Sequence, residues 1–500
     1  MRNAAVRSLG QWFLLLAGTM IGLATVQTAA AIPPVDIGTR REMFVDRSLI
    51  ASMKNTRLAL AHPERREVVM EANAPWEDRY FFAYSAVQEG GKVRLYYRAA
   101  ISDTKHGGAM VDPYQGIIGA MAESNDGGRT FFRPNLDLYE FDGSKKNNIV
   151  WRGGVPGLPG AFIDTNPACP PAARYKGLDG NPEPPQPKLY AMASADGLRW
   201  HTMRKEPLAI QGVTPYSFDS IICAFWDAPQ GCYRLYCRRT RGGIPQEAKS
   251  PGRDVQTSTS GDFIHWTPLV PLQYVDGIGD LQLYECNVLP CPGAEHILLG
   301  FPNRFVENRT KSSESLSGGV NDALFMASRD RIHWTLYREA WVRPGLDQRN
   351  WTHRNNYPTW HIIQTSPEEW SILISEHYMQ KDKSPVRLRR LSIRPWGFVS
   401  VHAGFGGGEM VTQPLVFKGK SLHLNYSTSA IGSIQIELQD ENGQTLSGFA
   451  LNDMTPLFGD ELDGSITWGK SGDLSRFVGR PVRLRFLLKD ADVFSMRFSN

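Results

Sequence analysis

Short segments in which apolar and polar side chains alternate recur along the chain and predict β-strands. Lys92-Val-Arg-Leu-Tyr-Tyr-Arg98 and Cys232-Tyr-Arg-Leu-Tyr-Cys-Arg238 are nearly the same sequence, and residues 296–301 and 370–375 have the same character. A period of two places one set of side chains in a core and leaves the other outside it, which is typical of half-buried strands. We find no amphipathic helix of useful length. The pattern predicts an all-β protein.

A turn motif with a serine, an aspartate and a closing aromatic residue occurs four times between such strands. One copy is Ser194-Ala-Asp-Gly-Leu-Arg-Trp200, and the others close at Phe131, Trp266 and Trp334. The Asp caps its own backbone, Gly accepts positive φ, and the aromatic packs beneath the turn. We interpret each copy as a hairpin turn with a buried anchor and expect no catalytic residue in it.

The regular spacing of the closing aromatics predicts the architecture. Each closes its unit at nearly the same distance from the one before, and Trp396 continues the series after Trp334. A mostly β unit repeated in this way is typical of a propeller blade, so we predict a five-bladed β-propeller. Residues 42–50 are expected to close the ring against the fifth blade, which would remove the open edges. The predicted blades cover residues 75–134, 161–203, 217–269, 284–337 and 355–401.

The pattern changes after Gly404. Cleanly alternating segments follow, with Glu441-Asn-Gly-Gln444 as a hairpin turn between two of them. These segments predict a β-sandwich over residues 404–500, after a propeller over residues 32–403. The sandwich could bind carbohydrate or pack against the propeller.

The segment from Met1 to Ala31 is typical of a secretory signal peptide. Arg2 and Arg7 precede a short apolar run over residues 12–24, and Ala29-Ala-Ala31 provides a cleavage site. The apolar run is shorter than a full bilayer span. We therefore expect a protein that is exported to the periplasm or outside the cell, with no membrane association after cleavage near Ala31.

The composition of the chain indicates which classes of binding partner to expect. Lys and Arg number 55 against 51 Asp and Glu, and the charges are interspersed, so neither nucleic acid nor a membrane surface is indicated. The 13 Trp and 17 Tyr suit stacking on sugar rings, although turn anchors account for several Trp. Six cysteines in an exported chain permit disulfides or free buried thiols, and their spacing does not indicate zinc. The oligomeric state is not indicated.

Candidate chemistry lies on the first strand of each blade, because these strands line the channel of a propeller. The predicted inner strands open with polar or acidic residues, and an unpaired buried carboxylate is costly, so a ring of acids around one cavity indicates function. Each acid could instead cap a turn or pair with a channel arginine. The predicted catalytic residues are Asp78, Asp164, Asp219 and Glu285. The predicted substrate-binding residues are Glu77, Arg79, Asn166, Asn287, Arg354, Asn355 and His377.

The blade number, the aspartate turns and these acids resemble the five-bladed propeller glycoside hydrolases of the arabinanase and invertase superfamily. The chain is also similar to exported bacterial glycosyl-hydrolase-like proteins at Phe44-Val-Asp46, at residues 142–148 and at Arg354-Asn-Asn-Tyr-Pro358. The resemblance implies three carboxylates from successive blades. Asp78 would be the base or nucleophile, Asp164 the orienting acid, and Asp219 or Glu285 the proton donor. The family's Asp-Pro opening is absent from blade 1, and Asp219 stands where the family has Glu.

Two other functions fit the sequence. The chain could be a non-catalytic carbohydrate-binding propeller whose acids hold hydroxyls or calcium. It could also be a sialidase-like or phosphorolytic glycosidase. Residues 124–131 match the sialidase aspartate-box spacing, but five units are one fewer than a sialidase ring, and only Arg79 and Arg354 are available for an arginine triad. We expect no cofactor and no resident metal, leaving open a Ca²⁺ ion in the channel.

Overall fold

The computed structural model describes residues 33–78, 80–100, 117–152, 157–181, 187–241, 252–311, 318–382 and 384–500. The predicted signal peptide lies outside these ranges. Within them the regular elements are β-strands and short 3₁₀ helices, so the all-β prediction is confirmed. In the described part, no helix is long and apolar enough to cross a membrane. The 3₁₀ helices are Pro171–Ala173, Ala228–Gln230, Gln348–Asn350, Leu451–Asp453 and Ser475–Phe477.

Five strands precede the first blade and belong to two parts of the fold. They are β1 (Val35–Gly38), β2 (Glu42–Met43), β3 (Ile50–Lys54), β4 (Thr56–Leu60) and β5 (Glu64–Glu71). The first four pair with C-terminal strands, whereas β5 joins the last blade. The N-terminal segment therefore contributes to both parts.

Five sheets form the blades of the propeller, which confirms the predicted blade number. Blade 1 contains β6 (Tyr80–Glu89), β7 (Lys92–Ala100), β8 (Ile117–Ser124) and β9 (Ile149–Arg152). Blade 2 contains β10 (Phe162–Ile163), β11 (Tyr175–Asn181), β12 (Lys188–Ser194) and β13 (His201–Thr202). Blade 3 contains β14 (Cys223–Asp227), β15 (Cys232–Thr240), β16 (Arg253–Ser260) and β17 (Val270–Pro271).

The last two blades are less regular. Blade 4 contains β18 (Gln273–Tyr274), β19 (Val288–Cys291), β20 (Ala294–Gly300), β21 (Asn303–Val306), β22 (Val320–Ser328) and β23 (His333–Val342). Blade 5 contains β24 (Ile363–Ser366), β25 (Glu369–Glu376), β26 (Arg387–Ile393) and the N-terminal β5. Within the blades, neighbouring described strands are antiparallel except where β18 pairs with β23.

The strand that closes the ring is β5, which pairs with β26 at the outer edge of blade 5. The prediction that residues 42–50 close the ring is wrong, because β2 pairs instead with the C-terminal strand β32 (Val482–Ser499). Side-chain character explains the difference. Phe44 is fully buried in the core of the C-terminal strands, whereas Arg65 on β5 forms an ion pair with the buried Glu376 of blade 5.

The repeated turn motif is the predicted hairpin anchor. Ser194 Oγ accepts from the Gly197 amide at 2.9 Å, and Asp196 Oδ1 accepts from the two following amides at 2.8 Å. The indole of Trp200 donates to the Gly197 carbonyl at 3.1 Å beneath the turn. Gly197 has φ of 74°, a conformation that glycine adopts without strain.

A second set of strands forms a ten-stranded hydrogen-bonded network from both ends of the described chain. Its strands are β1–β4, β27 (Val399–Ala403), β28 (Gly408–Thr412), β29 (Leu415–Phe417), β30 (Ser421–Asp440), β31 (Asp460–Ser465) and β32. Alternate residues such as Ile434, Ile436 and Leu438 are fully buried in a core of their own. Residues 35–60, which the predicted boundaries assign to the propeller, thus pair with the C-terminal strands.

The two ends of the propeller channel are distinct. The first hairpin turn of every blade, including Gly90, Ala228 and Pro367, lines a cavity of about 1060 Å³ at one end. The residues that precede the inner strands β6, β14 and β19 lie at the other end, as does Arg354, nine residues before β24. This second end contains most of the acids that the sequence predicted.

Candidate active site

Asp219, Glu285 and Arg354 precede the inner strands of three successive blades and lie close enough for their charges to interact. The charges of both Asp219 and Arg354 act on the pKa of Glu285. Positive φ values of 40° at Asn287 and 60° at Arg354 mark sharp turns of the backbone, the first directly before β19 and the second nine residues before β24. These turns direct polar residues to the end of the channel before the buried strands begin.

Glu285 is the most strongly perturbed acid of this group. It is buried, with 5% of its surface exposed. Burial raises the pKa of Glu285 to about 7, and the charge of Asp219 adds to the rise, while Arg238 and Arg354 oppose it. The carboxyl therefore carries a proton for a large fraction of the time at neutral pH.

Asp219 has a different environment. Its side chain is 27% exposed and accepts a hydrogen bond of 2.5 Å from Nη1 of Arg238. The guanidinium of Arg238 also donates to the Tyr284 carbonyl at 3.1 Å and lies over the Tyr284 ring, 4.5 Å from its centroid. The two acids therefore have unequal surroundings, since Glu285 is buried and Asp219 is partly exposed and paired with arginine.

Tyr284 lies among three arginines. Arg354 donates to the Tyr284 hydroxyl at 3.1 Å and to the Tyr378 hydroxyl at 3.2 Å. Arg253 lies 4.7 Å from the Tyr284 ring centroid. Burial alone would raise the pKa of Tyr284, but the charges of Arg354 and Arg238 bring it below its ordinary value.

Several buried polar atoms around these residues have no hydrogen-bond partner within the described chain. They are Arg238 Nε, Asn303 Oδ1, His353 Nε2 and Tyr357 Oη. Burial and the charges of Arg354 and Arg253 lower the pKa of His353 to about 3, so its ring is neutral. Buried polar groups are normally paired, so this concentration of unpaired atoms indicates a place where a polar ligand supplies the partners.

The two acids that precede β6 in blade 1 have different surroundings. Glu77 accepts hydrogen bonds from Tyr97 at 2.6 Å and from Arg133 at 2.8 and 2.6 Å, so both its oxygens are used within the blade. Asp78 is half-buried and lies two residues before Tyr80, whose pKa is affected by Arg354 and Asp219. Arg79 lies outside the described residues.

Asp164 and Asn166 lie away from this group. They follow the inner strand β10 instead of preceding it, and their neighbours Ile163 and Thr165 line the cavity at the opposite end of the channel. Asp164 forms an ion pair with Lys176 and accepts a hydrogen bond of 2.6 Å from Tyr233. The sequence could not show this because β10 has only two residues, which makes its start and end hard to tell apart.

The remaining predicted binding residues hold the strands together. Asn287 donates to the Pro358 carbonyl and so connects blades 4 and 5. Asn355 accepts from the Tyr378 amide at 2.9 Å and donates to Thr352. His377 contacts Asp347 at 2.7 Å. Each of these side chains is used by an internal contact.

Sequence reasoning missed the arginines on the second strands of the blades. Arg98 and Arg238 are the last residues of the two nearly identical segments in blades 1 and 3. Both are buried, and each pairs with an aspartate, Arg98 with Asp179 and Arg238 with Asp219. An arginine at the same position of both segments is the feature of the sequence that could have identified these two residues.

The cysteines of the chain are free thiols. All six belong to the described part, and the four buried ones are Cys223, Cys237, Cys286 and Cys291. In the described ranges, no group of three or more His, Cys, Asp or Glu residues could hold a metal ion.

No protein-family model matches the sequence, and no curated protein matches it. A matching solved structure described as a glycoside hydrolase has 12% identity and a TM-score of 0.45, with 66% of this chain and 92% of that chain covered. An N-acetylgalactosamine deacetylase from F. plautii has 10% identity and a TM-score of 0.42, with coverages of 68% and 96%. A Bombyx mori GH32 β-fructofuranosidase has 10% identity and a TM-score of 0.39, with coverages of 88% and 94%. Glycoside hydrolases are thus among the matching structures, as the resemblance in the sequence implied.

Proposed function

We propose that the protein is an exported glycoside hydrolase that cleaves a poly- or oligosaccharide by carboxylate acid/base chemistry at the end of the propeller channel that contains Glu285. The observation that carries the proposal is the buried Glu285, whose pKa is raised to about 7, close to the arginine-paired Asp219. Glycoside hydrolysis requires one protonated and one ionised carboxyl at the scissile bond. Glu285 supplies the protonated carboxyl of this pair near neutral pH.

The surroundings of each acid determine the catalytic role that we assign to it. Glu285 is the proton donor to the leaving oxygen, since its proton is available near neutral pH. Asp78, which precedes β6 at the same end of the channel, is the base or nucleophile. Asp219 orients Arg238 and the substrate hydroxyls. Asp164 has no role in this reaction, because it lies at the other end of the channel.

The test uses leaving groups of different acidity. Wild type is screened on plant and algal polysaccharides and on aryl glycosides, and the substrate found is used with Glu285→Gln. A missing proton donor should matter little for a dinitrophenyl glycoside, which leaves unaided, but should lower kcat for a poor leaving group by roughly 100- to 10,000-fold. Glu368→Gln, at an exposed turn of blade 5, is the control.

Two results would contradict the proposal. Equal losses for good and poor leaving groups would remove Glu285 from the role of proton donor. Saccharide binding by wild type without cleavage of any substrate would favour the non-catalytic binding propeller.

A second mechanism is favoured by Tyr284. Its lowered pKa makes the phenolate more accessible than in an ordinary buried tyrosine, and tyrosine serves as the nucleophile in sialidases. Arg238, Arg253 and Arg354 around it also supply three arginines where the sequence had offered two. Tyr284→Phe should abolish activity if this sialidase-like mechanism operates. Activity within about 10-fold of wild type would exclude it.

We also infer that the ten-stranded network is a β-sandwich that packs on the propeller. Its long strands β30 and β32 pair along nearly their whole length, with a register shift between Thr428 and Ser433 that allows both to bend between two layers. Arg329 of blade 4 pairs with Glu42 and Asp46 of the N-terminal segment, which supports a packing role.

A further inference from the structure

Arg354 differs in its partners from three other arginines of the propeller. Arg98, Arg238 and Arg304 each form an ion pair with an aspartate. Arg354 has no carboxylate within ion-pair distance in the described ranges, and its two terminal nitrogens contact the hydroxyls of Tyr284 and Tyr378. A half-buried guanidinium held by two neutral hydroxyls keeps a positive charge available for a ligand.

The backbone fixes this guanidinium in place. The Arg354 amide donates to Asn321 Oδ1 at 2.8 Å, and Ser375 Oγ donates to the Arg354 carbonyl at 3.4 Å. The neighbouring His353 has a buried Nε2 without a partner in the described chain, as does Tyr357 at its hydroxyl. The arginine therefore lies beside polar atoms that also lack a protein partner.

The same positive character extends into an adjoining cleft. Asn321, which holds Arg354, also lines a cleft of about 970 Å³ beside blade 4. Trp351 supplies an aromatic surface in the same cleft, which suits a sugar ring. The basic residues of this cleft outnumber the acidic residues, Asp322 and Glu339, in the described part. The basic residues are Arg304, Arg309, Lys311, Arg338 and Arg343.

We propose that the channel binds an acidic saccharide, with Arg354 holding a carboxylate or sulfate of the sugar and the basic cleft holding the anionic groups of adjacent sugars. The planar fork of arginine matches a carboxylate or sulfate edge through two hydrogen bonds. This inference rests on the proposed function only in taking the channel as a saccharide site. It names the class of substrate, which the acids alone do not.

The test measures binding separately from cleavage. Glu285→Gln is titrated calorimetrically with a galacturonate tetramer and with its methyl ester, and in a second arm with a sulfated galactan fragment and its desulfated form. We expect one anionic probe to bind roughly 10- to 100-fold more tightly than its neutral counterpart, with a preference that weakens as salt increases. The arm with the larger preference identifies carboxylate or sulfate.

Two further variants, built in the Glu285→Gln background, isolate Arg354. Arg354→Gln should remove most of the preference, and Arg354→Lys should restore only part of it because the charge returns without the fork. Arg480→Gln, at an exposed arginine near the C-terminal strand β32, should change nothing. Near-ultraviolet circular dichroism establishes that each variant keeps its tertiary packing.

The outcomes separate this inference from the proposed function. A preference for neutral probes, equal binding of both forms, binding of no probe, or a full preference in folded Arg354→Gln would overturn the acidic saccharide. Selective binding of an anionic probe that wild type never cleaves would support it while contradicting the hydrolase. Cleavage of neutral glycans without any preference for anionic probes would support the hydrolase and contradict the acidic saccharide.

Discussion

The raised pKa of Glu285 predicts how the stability of the protein depends on pH, independently of any activity. The group has a pKa of about 7 in the folded chain against an ordinary value of 4.5. The folded state therefore binds the proton more tightly than the unfolded state. The contribution of this group to stability is complete below a pH of about 4.5 and is lost as the pH rises through about 7.

The size of the effect follows from the two values. Linkage gives a loss of about 2–3 kcal/mol in the free energy of unfolding between a pH of about 5 and a pH of about 8. Glu285→Gln removes the titrating carboxyl and keeps the shape of the side chain. The variant should therefore gain about 2–3 kcal/mol relative to wild type over this interval, whatever constant difference the substitution introduces.

The assay is urea denaturation followed by tryptophan fluorescence, with wild type and variant measured in parallel at both pH values. Taking the difference between proteins cancels the titration of all other groups. Glu368→Gln, which alters an exposed glutamate, should show a difference that does not change with pH. A difference for Glu285→Gln that is equally flat would refute the raised pKa and, with it, the basis for assigning Glu285 as the proton donor.

Three further predictions concern other parts of the chain. Asp164→Asn leaves Lys176 buried without its carboxylate and should lower the free energy of unfolding by about 3 kcal/mol in urea denaturation, while kcat/KM falls less than in Glu285→Gln. Asp196→Ala removes the hydrogen bonds of one turn and should lower the free energy of unfolding by about 1 kcal/mol at neutral pH. The loss should be smaller near a pH of about 2, because this aspartate becomes protonated there, and thermal denaturation at the two pH values measures the difference. The native protein should react quickly with a thiol reagent at the partly exposed Cys169 and Cys232, and at all six thiols after denaturation; fewer than six would reveal a disulfide.

The fold was predictable from the sequence because its signals are local. The Ser-Asp-aromatic turn forms its hydrogen bonds within one short segment, as between Ser194 and Trp200, and so it marks each repeat wherever it occurs. Strands such as β7 and β15 carry their alternation within themselves. The strand that closes the ring was not predictable in this way. The pairing of β5 with β26 joins opposite ends of the propeller sequence, and no local pattern distinguishes β5 from β2 as the partner.

The sequence predicts a residue of the candidate site only where the start of an inner strand can be recognised, because that start shows at which end of the channel the residue lies. Glu285 and Asp219 lie three and four residues before the inner strands β19 and β14, so the start of the strand locates them. The sequence places Asp164 with them because an inner strand of two residues gives no sign of whether an acid precedes or follows it.

The electrostatic character of the site depends on side chains that come from other strands and could not be predicted from the acids alone. Arg238 reaches Asp219 from the second strand of blade 3, and Arg354 reaches Tyr284 from the head of blade 5. These arginines oppose the rise in the pKa of Glu285, and yet burial keeps that pKa at about 7. An anionic sugar on Arg354 would offset part of this positive charge and raise the pKa of Glu285 further. Binding of an acidic substrate would therefore favour the protonated form of Glu285 that the proposed reaction needs, and the descending limb of kcat should lie at higher pH than that of kcat/KM.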